Sequence, residues 1–298
     1  MTVYVGTSGW YYPKGKGRWN DLFYPPDLPG PDQLAYYAER FNAVEINKSF
    51  YGPITPSEAR SWVERTPPDF RFCAKLYQKF THPKMYREAT GKEDAPSEQD
   101  FERIKRGLEP LAGSGKLGAL LAQFPPSFKA DQATRSYLED LIRRLEAYPL
   151  AVELRHRSWS ESSQARNLLE EYGAAWVMID EPKFRTSVRD VPPTSRLGYF
   201  RFHGRNYEQW WKGNGEERYN YLYSAPEQAE LASEVEEVAK GTAETFAFYN
   251  NHYKAKAVVN ALQLKSDLGQ PITAPLTEEM LKEYPNLKEI VGVATSGR

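Results

Sequence analysis

Residues 150–173 read LAVELRHRSWSESSQARNLLEEYG and contain one complete unit of the pattern that decides the fold. A short apolar run leads to the charged residues Glu153 and Arg155, and a stretch with apolar residues at helical spacing follows and stops at Gly173. An apolar strand that leads into an amphipathic helix is typical of a parallel β-α unit. The stretch therefore predicts a strand over 150–155 and a helix that begins at Ser160 and ends at the glycine.

The same pattern recurs about eight times along the chain. The predicted strands are residues 3–8, 43–47, 71–75, 117–123, 150–155, 174–180, 197–203 and 245–250. Further helices are predicted after the capping box at Thr55, after Asp131, from Pro226 to Gly241 and over 253–268. About eight parallel units close naturally into a (β/α)8 barrel, the TIM-barrel fold. We predict an α/β barrel forming a single domain over residues 1–298, with a sixth helix that is short or missing and a short extra helix near 277–288.

Composition excludes several classes of protein. The net charge is −1, which is not the charge of a dedicated nucleic-acid binder. Cys73 is the only cysteine, so the chain can form neither an intramolecular disulfide nor a thiolate zinc cluster. No apolar run approaches the roughly 18 residues of a membrane span, and no segment resembles a signal peptide. The expectation is a cytoplasmic protein without a membrane partner; the oligomeric state is not predicted.

Polar side chains end most of the predicted strands. In TIM barrels the chemistry lies at the carboxyl ends of the strands, so these side chains are expected to meet in one pocket. The candidates are Glu45, Asn47, Lys75, Gln123, Glu153, Arg155, Asp180, Arg201, His203 and Asn250.

Four long segments follow predicted strands and carry many of the aromatic residues. They are residues 9–31, 76–97, 181–196 and 204–225, and loops of this length usually build a site or a lid. Their aromatic residues either anchor the loops to the barrel or form a cleft that stacks a sugar ring or a base. The residues in question are Trp10, Tyr11, Tyr12, Trp19, Phe23, Tyr24, Tyr77, Phe80, Tyr86, Tyr207, Trp210, Trp211, Tyr219 and Tyr221.

Several motifs, spread along the chain in sequence order, resemble those of the YecE-like family, which is described as domain of unknown function 72. They are Gly6-Thr7-Ser8-Gly9-Trp10, Val44-Glu45-Ile46-Asn47 and residues 49–52, 121–126, 152–156, 158–159, 200–205 and 249–252. The resemblance covers about residues 3–268. It implies a TIM barrel with a polar pocket lined by the motif positions, which adds Trp10, Tyr51 and Trp159 to the substrate-binding candidates, and it implies no settled activity.

Glu45 and Glu153 are the leading catalytic candidates. Two carboxylates that face one cleft are the minimum for cleavage of a glycosidic bond, one as general acid and one as base or nucleophile. The alternative is that they form structural ion pairs with Arg155, Arg201 or Lys75. His203 is either a third acid/base group, a metal ligand or a buried core histidine. The leading hypothesis is cofactor-free hydrolysis of an anionic substrate that contains a sugar or a nucleotide.

Three alternatives remain open from the residues alone. Convergence of Glu45, Glu153, Asp180 and His203 would favour a divalent metal and a sugar isomerase or phosphodiesterase. Aromatic loops with Lys79, Lys84 and Trp211 would favour a non-catalytic module that binds a nucleotide or single-stranded nucleic acid. A desolvated Lys75 would favour Schiff-base chemistry with a carbonyl compound.

Overall fold

The structure, a computed structural model, describes residues 1–93, 95–189, 191–210 and 215–291. Within these residues, strands alternate with helices along the whole chain. The strands are β1 Thr2–Ser8, β2 Ala43–Ile46, β3 Arg71–Lys75, β4 Leu117–Gln123, β5 Leu150–Glu153, β6 Ala175–Trp176, β7 Met178–Asp180, β8 Leu197–Phe202 and β9 Glu244–Tyr249.

The strands form one parallel sheet that curls into a nearly closed barrel. Its order is β6-β5-β4-β3-β2-β1-β9-β8-β7, and every neighbouring pair is parallel. The two ends of this order, β6 and β7, are consecutive in the chain and are separated only by Val177. The fold is therefore the predicted α/β TIM barrel, with its seam inside the predicted sixth strand.

Helices follow most of the strands and lie outside the barrel. The α-helices among the described residues are α1 Gln33–Ala38, α2 Pro56–Glu64, α3 Gln78–Thr81, α4 Pro83–Thr90, α5 Glu98–Gly113, α6 Gln132–Leu145, α7 Ser163–Glu171, α8 Gly215–Arg218, α9 Ala225–Gly241, α10 Lys256–Asp267, α11 Glu278–Glu283 and α12 Leu287–Val291. Short 3₁₀ turns occupy Gly30–Asp32, Lys48–Phe50, Arg157–Trp159 and Tyr253–Ala255.

The sixth unit has the irregularities that the sequence predicts, and one more. Between Asp180 and Leu197 the described residues form no helix, as expected. The strand predicted over 174–180 is divided, because its ladder changes partner. The N–H of Val177 donates to the carbonyl of Val152 in β5, at 3.0 Å, whereas Met178 already pairs with Phe200 of β8. The chain thus leaves one edge of the sheet and joins the other within one residue.

Three predicted segments differ in detail. The predicted loop over 76–97 contains α3 and α4, and α4 begins at Pro83 and ends at Gly91, whose φ is +66°. The helix predicted over 253–268 is a 3₁₀ turn followed by α10, because Lys254 and Ala255 have positive φ. The extra helix near 277–288 is two short helices, α11 and α12, with Pro285 between them.

The barrel interior is filled by aromatic side chains from several strands. Tyr4 of β1 stacks on Phe246 of β9, with ring centroids 4.9 Å apart, and Tyr199 of β8 packs against the same ring. Gly118 of β4 lies beside Phe246, and a Cβ atom there would come within 2.5 Å of the ring. This packing fills the barrel between these strands, and a cavity opens towards the carboxyl ends of the strands.

Candidate functional site

A cavity of about 250 Å³ opens at the carboxyl ends of the strands. Polar strand-end side chains and aromatic loop side chains both contribute to its wall. The lining residues are Tyr12, Asn47, Phe50, Tyr51, Lys75, Gln123, Arg155, Arg201, His203, Tyr219, Asn250 and His252. The structure thus brings seven of the ten strand-end candidates to this cavity, and Glu45, Glu153 and Asp180 are the exceptions.

Arg201 joins the two glutamates directly behind the cavity wall. Its Nε and Nη2 donate to Oε2 and Oε1 of Glu45 at 2.9 and 2.7 Å, and its Nη1 donates to Oε2 of Glu153 at 2.6 Å. Both carboxylates are fully buried, and the Arg201 side chain is 2% exposed. The hydroxyl of Tyr199 also donates to Glu45, at 2.8 Å. The guanidinium therefore ties β8 to β2 and to β5 across the barrel.

The second oxygen of Glu153 is also occupied. Nε of Arg155 donates to its Oε1 at 2.6 Å. Burial alone would raise the pKa of Glu153, but the guanidiniums of Arg155 and Arg201 outweigh it and hold that pKa well below its usual range. Glu153 is consequently ionised at every physiological pH. This is the ion-pair alternative considered for Glu153 from the sequence, and it leaves the carboxyl without a proton to donate.

His203 is a buried hydrogen-bond acceptor. Its Nε2 lies 3.1 Å from Nη2 of Arg155 and 3.5 Å from Nη1 of Arg201, and guanidinium groups only donate, so Nε2 must accept. Burial and then these two cations hold the pKa of His203 well below its usual value. The ring is therefore neutral with its proton on Nδ1, which lies 3.0 Å from the atom placed as Nδ2 of the Asn250 amide. This requires the amide oxygen of Asn250 to face the ring.

Lys75 contributes an amine without a counter-ion. Its Nζ lies 4.1 Å from the centroid of the Phe50 ring, and within the described part of the chain it has no hydrogen-bond or ion-pair partner. Burial, and then the charge of Arg201, lower the pKa of Lys75 to about 7, against the weaker opposing effect of Glu153 and Glu45. A large fraction of Lys75 is therefore an uncharged amine at neutral pH.

Aromatic and amide groups complete the wall. Tyr12 stacks on His252, with centroids 4.6 Å apart and planes at 12°, and Tyr219 lies 5.1 Å from the same ring. Burial lowers the pKa of His252 to about 4. Tyr51 is 73% exposed at the rim, where it meets Phe50 edge to face. The cavity thus offers ring faces beside its cationic groups.

Three predicted site residues lie elsewhere. Trp159 is fully buried, stacks on Phe128 at 5.2 Å and donates from its indole to the Phe128 carbonyl. Trp10 is half-buried and packs edge to face on Trp62. Asp180 is bound by Arg205 at 2.7 Å and by the hydroxyl of Tyr223, also at 2.7 Å. Each of these side chains has a packing or ion-pair partner away from the cavity.

Many of the loop aromatic residues anchor the loops to the barrel. Trp19, Phe23, Tyr24 and Phe80 are completely buried, and the indole of Trp19 donates to the carbonyl of His252. Trp211 lies outside the described residues. Of the loop aromatic residues predicted to form a cleft, Tyr12 and Tyr219 line the cavity.

Sequence reasoning missed three residues that shape the site. Phe50, which lies under the amine of Lys75, stands in the family-like motif but follows no predicted strand. His252, the last residue of the motif at 249–252, stacks on Tyr12 within the wall. Glu181 is buried with its Oε2 3.3 Å from Nη1 of Arg155, and burial raises its pKa. Only its place directly after Asp180 could have indicated it.

A metal-ligand cluster and a membrane-spanning helix are both absent from the described residues. Among the described residues, no group of three or more His, Cys, Asp or Glu side chains is arranged to hold a metal ion. The four residues proposed for a metal do not converge, since Asp180 is bound to Arg205. Within the same residues, no helix has the length and apolar character needed to cross a membrane.

The fold and the site define a TIM-barrel protein with a cavity lined by arginine and lysine side chains at the carboxyl ends of the strands. The chain belongs to the family described as protein of unknown function DUF72, whose model matches residues 4–284. The resemblance seen in the motifs is thereby confirmed.

One curated relative matches most of the chain, and another matches about three fifths of it. It is 30% identical to the UPF0759 protein YunF of Bacillus subtilis over 276 residues, which are 88% of this chain and 93% of YunF. It is 28% identical to the UPF0759 protein YecE of Escherichia coli K12 over 186 residues, which are 60% of this chain and 59% of YecE.

Two crystal structures of family members have the same fold. A DUF72 family protein of Thermotoga maritima is 38% identical with a TM-score of 0.78, and the match covers 91% of this chain and all of that one. A DUF72 family protein of Enterococcus faecalis is 25% identical with a TM-score of 0.79, covering 93% of this chain and all of that one.

Proposed function

We propose that this protein is an enzyme that binds a small anionic, sugar-like substrate in the cavity and acts on it by acid/base catalysis. One observation supports this above the others. The lining residues include the guanidiniums of Arg155 and Arg201 and the amine of Lys75, and the described lining contains no carboxylate. A wall of this kind attracts a phosphate or carboxylate group, because the balancing carboxylates lie behind the guanidiniums.

The other lining residues suit the rest of such a substrate. Asn47, Gln123 and Asn250 present amides that can exchange hydrogen bonds with hydroxyl or carbonyl groups. The rings of Tyr12 and Tyr219 can pack against the apolar face of a sugar or a base. The cavity holds several times the roughly 30 Å³ that one water molecule occupies in the liquid, so it has room for a small metabolite.

The geometry favours Lys75 as the group that exchanges a proton. Glu153 has both oxygens bound by guanidinium groups, and Glu45 has both oxygens bound by Arg201. An acid/base pair made by Glu45 and Glu153, acting in hydrolysis, remains a prediction. A pKa of about 7 instead lets Lys75 serve as base and as acid at neutral pH.

The anion-binding step can be measured without knowledge of the substrate. Isothermal titration calorimetry with inorganic phosphate should detect binding that weakens about 10-fold or more in Arg155→Gln, since a charge-assisted contact is worth about 1.5–3 kcal/mol. Arg157→Gln is the matched control, because Arg157 lies two residues further on and pairs with Glu161 at the surface. Its phosphate affinity should stay within about 2-fold of the wild type.

Two further measurements make the result decisive. Arg155→Lys keeps a cation beside Glu153 but loses the forked donor, and it should weaken phosphate binding less than Arg155→Gln does. Thermal unfolding of each variant separates loss of binding from loss of the fold. Equal phosphate affinities in Arg155→Gln and Arg157→Gln would contradict the proposal, as would the absence of binding of both phosphate and acetate at about 10 mM.

A further inference from the structure

The amine of Lys75 contacts the Phe50 ring and has no hydrogen-bond acceptor or ion-pair partner among the described residues. Other buried lysines use their ammonium groups to hold the chain together. Nζ of Lys116 donates to two backbone carbonyls at 2.7 and 2.8 Å, and Nζ of Lys265 donates to another at 2.8 Å. Lys75 instead directs its Nζ over the face of Phe50, into the cavity, with no acceptor among the described residues. A desolvated amine without an acceptor keeps its lone pair available and can act as a nucleophile.

The surroundings of Lys75 favour its uncharged amine form. The carboxylates that would stabilise an ammonium, Glu45 and Glu153, are already bound by Arg201 and Arg155. Burial is the main cause of the lowered pKa of Lys75, and the charge of Arg201 lowers it further. The nearby rings of His82 and His203 carry no compensating negative charge. An exposed lysine, by contrast, holds less than about 0.1% of its amine unprotonated at pH 7.

We propose that Lys75 is a nucleophile that forms an imine with its substrate, and that the substrate is a small aldehyde or ketone bearing a carboxylate or phosphate group. The inference rests on the proposed anionic-substrate function, because Arg155 and Arg201 would hold the anionic group while Lys75 meets the carbonyl. Both cations line the same cavity as the amine.

Imine formation from an amine and a carbonyl compound requires no oxidant, reductant or metal. The lone pair of neutral Nζ forms a bond to the carbonyl carbon, and the π pair of the C=O bond moves to the oxygen. That oxygen gains one proton, and the nitrogen loses one, which gives a carbinolamine. Loss of the hydroxyl group as water then gives the C=N bond. One amine and one carbonyl compound thus yield one imine and one water molecule.

Reductive trapping tests the inference with two small aldehydes of similar size. The wild-type protein is incubated at pH 7 with sodium cyanoborohydride and either glyoxylate, which carries a carboxylate, or glycolaldehyde, which is uncharged. Peptide mapping then gives the rate of modification at Lys75 and at Lys129, an exposed lysine in the segment that follows β4. We expect Lys75 to react about 100-fold faster than Lys129, with half its maximal rate near pH 7.

The comparison of the two aldehydes tests the substrate class. At each lysine, the rate with glyoxylate is divided by the rate with glycolaldehyde. We expect this ratio to be more than about 10 times larger at Lys75 than at Lys129, because one charge-assisted contact to the carboxylate allows such a preference. Equal rates of modification at Lys75 and Lys129 would contradict the proposal that Lys75 is a nucleophile. If Lys75 reacts fast but the ratio of the two aldehyde rates is the same at Lys75 and Lys129, the proposal that the carbonyl substrate carries an anionic group is wrong.

Two readouts separate failure of the inference from failure of the proposed function. Lys75→Arg cannot form an imine and should lose the trapped adduct, whereas phosphate binding is measured in the wild type and in Arg155→Gln. If wild-type Lys75 is not trapped but phosphate binds and requires Arg155, the nucleophile is wrong and the anion site stands. If neither phosphate nor acetate binds, the proposed function fails, and the substrate class fails with it. Lys129→Arg serves as the control for both readouts.

Discussion

At the residue scale, the most consequential group is the guanidinium of Arg201. It is almost completely buried, and three of its hydrogen bonds go to the carboxylates of Glu45 and Glu153. Removing charges from water costs several kcal/mol each, and only good geometry with further hydrogen bonds recovers that cost. Tyr199 and Arg155 supply such bonds to the two glutamates. The network is therefore balanced as a whole, and removal of any one member leaves another charge uncompensated.

Replacement of Arg201 tests this balance. Arg201→Met should lower the free energy of unfolding by about 3–5 kcal/mol, because it leaves a buried carboxylate without a partner. Urea unfolding monitored by circular dichroism measures the change. Arg144→Met is the matched control: Arg144 also contacts two carboxylates, Asp140 and Glu98, but it is partly exposed, so about 1 kcal/mol or less is expected. Similar losses in the two variants would refute the buried-network interpretation.

The sequence locates this group of charges but not its pairing. Glu45, Glu153 and Arg201 each stand at the end of an apolar run, and parallel strands bring such ends to one side of the barrel. Which carboxylate meets which guanidinium depends on distances across the barrel, from β2 and β5 to β8, and hydrophobic periodicity carries no information about those distances. The same limit explains why Asp180, equally well placed along the chain, is bound instead by Arg205.

At the element scale, β1 and β2 approach each other closely because β1 contains Gly6. Gly6 pairs with Ala43, and a Cβ atom on it would lie 2.0 Å from the Ala43 carbonyl oxygen and 2.9 Å from the hydroxyl of Tyr37. That hydroxyl accepts a hydrogen bond from the backbone N–H of Thr7 at 2.8 Å. The glycine thus lets a helix side chain reach between two strands just below the cavity.

A pair of glycine substitutions tests this close approach. Gly6→Ala should cost about 3 kcal/mol of stability or more, since the strands cannot separate without breaking the Tyr37 contacts. Gly113→Ala, at the end of α5 with no atom within 4 Å of the new Cβ, should be neutral or stabilise by up to about 1 kcal/mol. Thermal unfolding gives both values. A Gly6→Ala protein as stable as the wild type would show that β1 and β2 have room to move apart.

Long apolar elements are predicted better than short polar ones. The strands β3 and β4 have the predicted bounds, and α2 has the predicted capping box at Thr55. By contrast, α4 was missed although Pro83 and Gly91 mark its ends, because it buries only Tyr86 and so shows no apolar stripe. The seam at Val177 was missed because both halves of that strand are apolar, and only the change of partner divides them.

At the scale of the whole molecule, burial keeps the histidines neutral. The chain has four, and burial is the main reason that the pKa of each is lowered; it falls to about 4 for His82 and His252. Their ordinary pKa is near 6.5. Any change in activity around pH 7 should therefore come from Lys75 rather than from a histidine.

These histidines also predict how acid affects stability. A buried neutral histidine has a lower pKa in the folded than in the unfolded chain, so below pH 6.5 the unfolded chain binds more protons and stability falls with pH. His82, His203 and His252 together should lower the free energy of unfolding by about 3–5 kcal/mol between pH 7 and pH 5. Urea unfolding at several pH values measures this. His252→Phe, which keeps the stack on Tyr12, should remove about a third of the drop; an unchanged slope would contradict the assignment.

The pairing of β1 with β9 has a consequence for synthesis in the cell. These strands pair along six residues, yet they lie at opposite ends of the barrel sequence, at Thr2–Ser8 and Glu244–Tyr249. At about 5–20 residues per second, a ribosome needs about 12–50 s to make the chain between them. Throughout that interval the open edge of β1 can pair with other chains. The barrel therefore closes only after β9 has been synthesised, and until then the edge of β1 that β9 covers lacks its native partner.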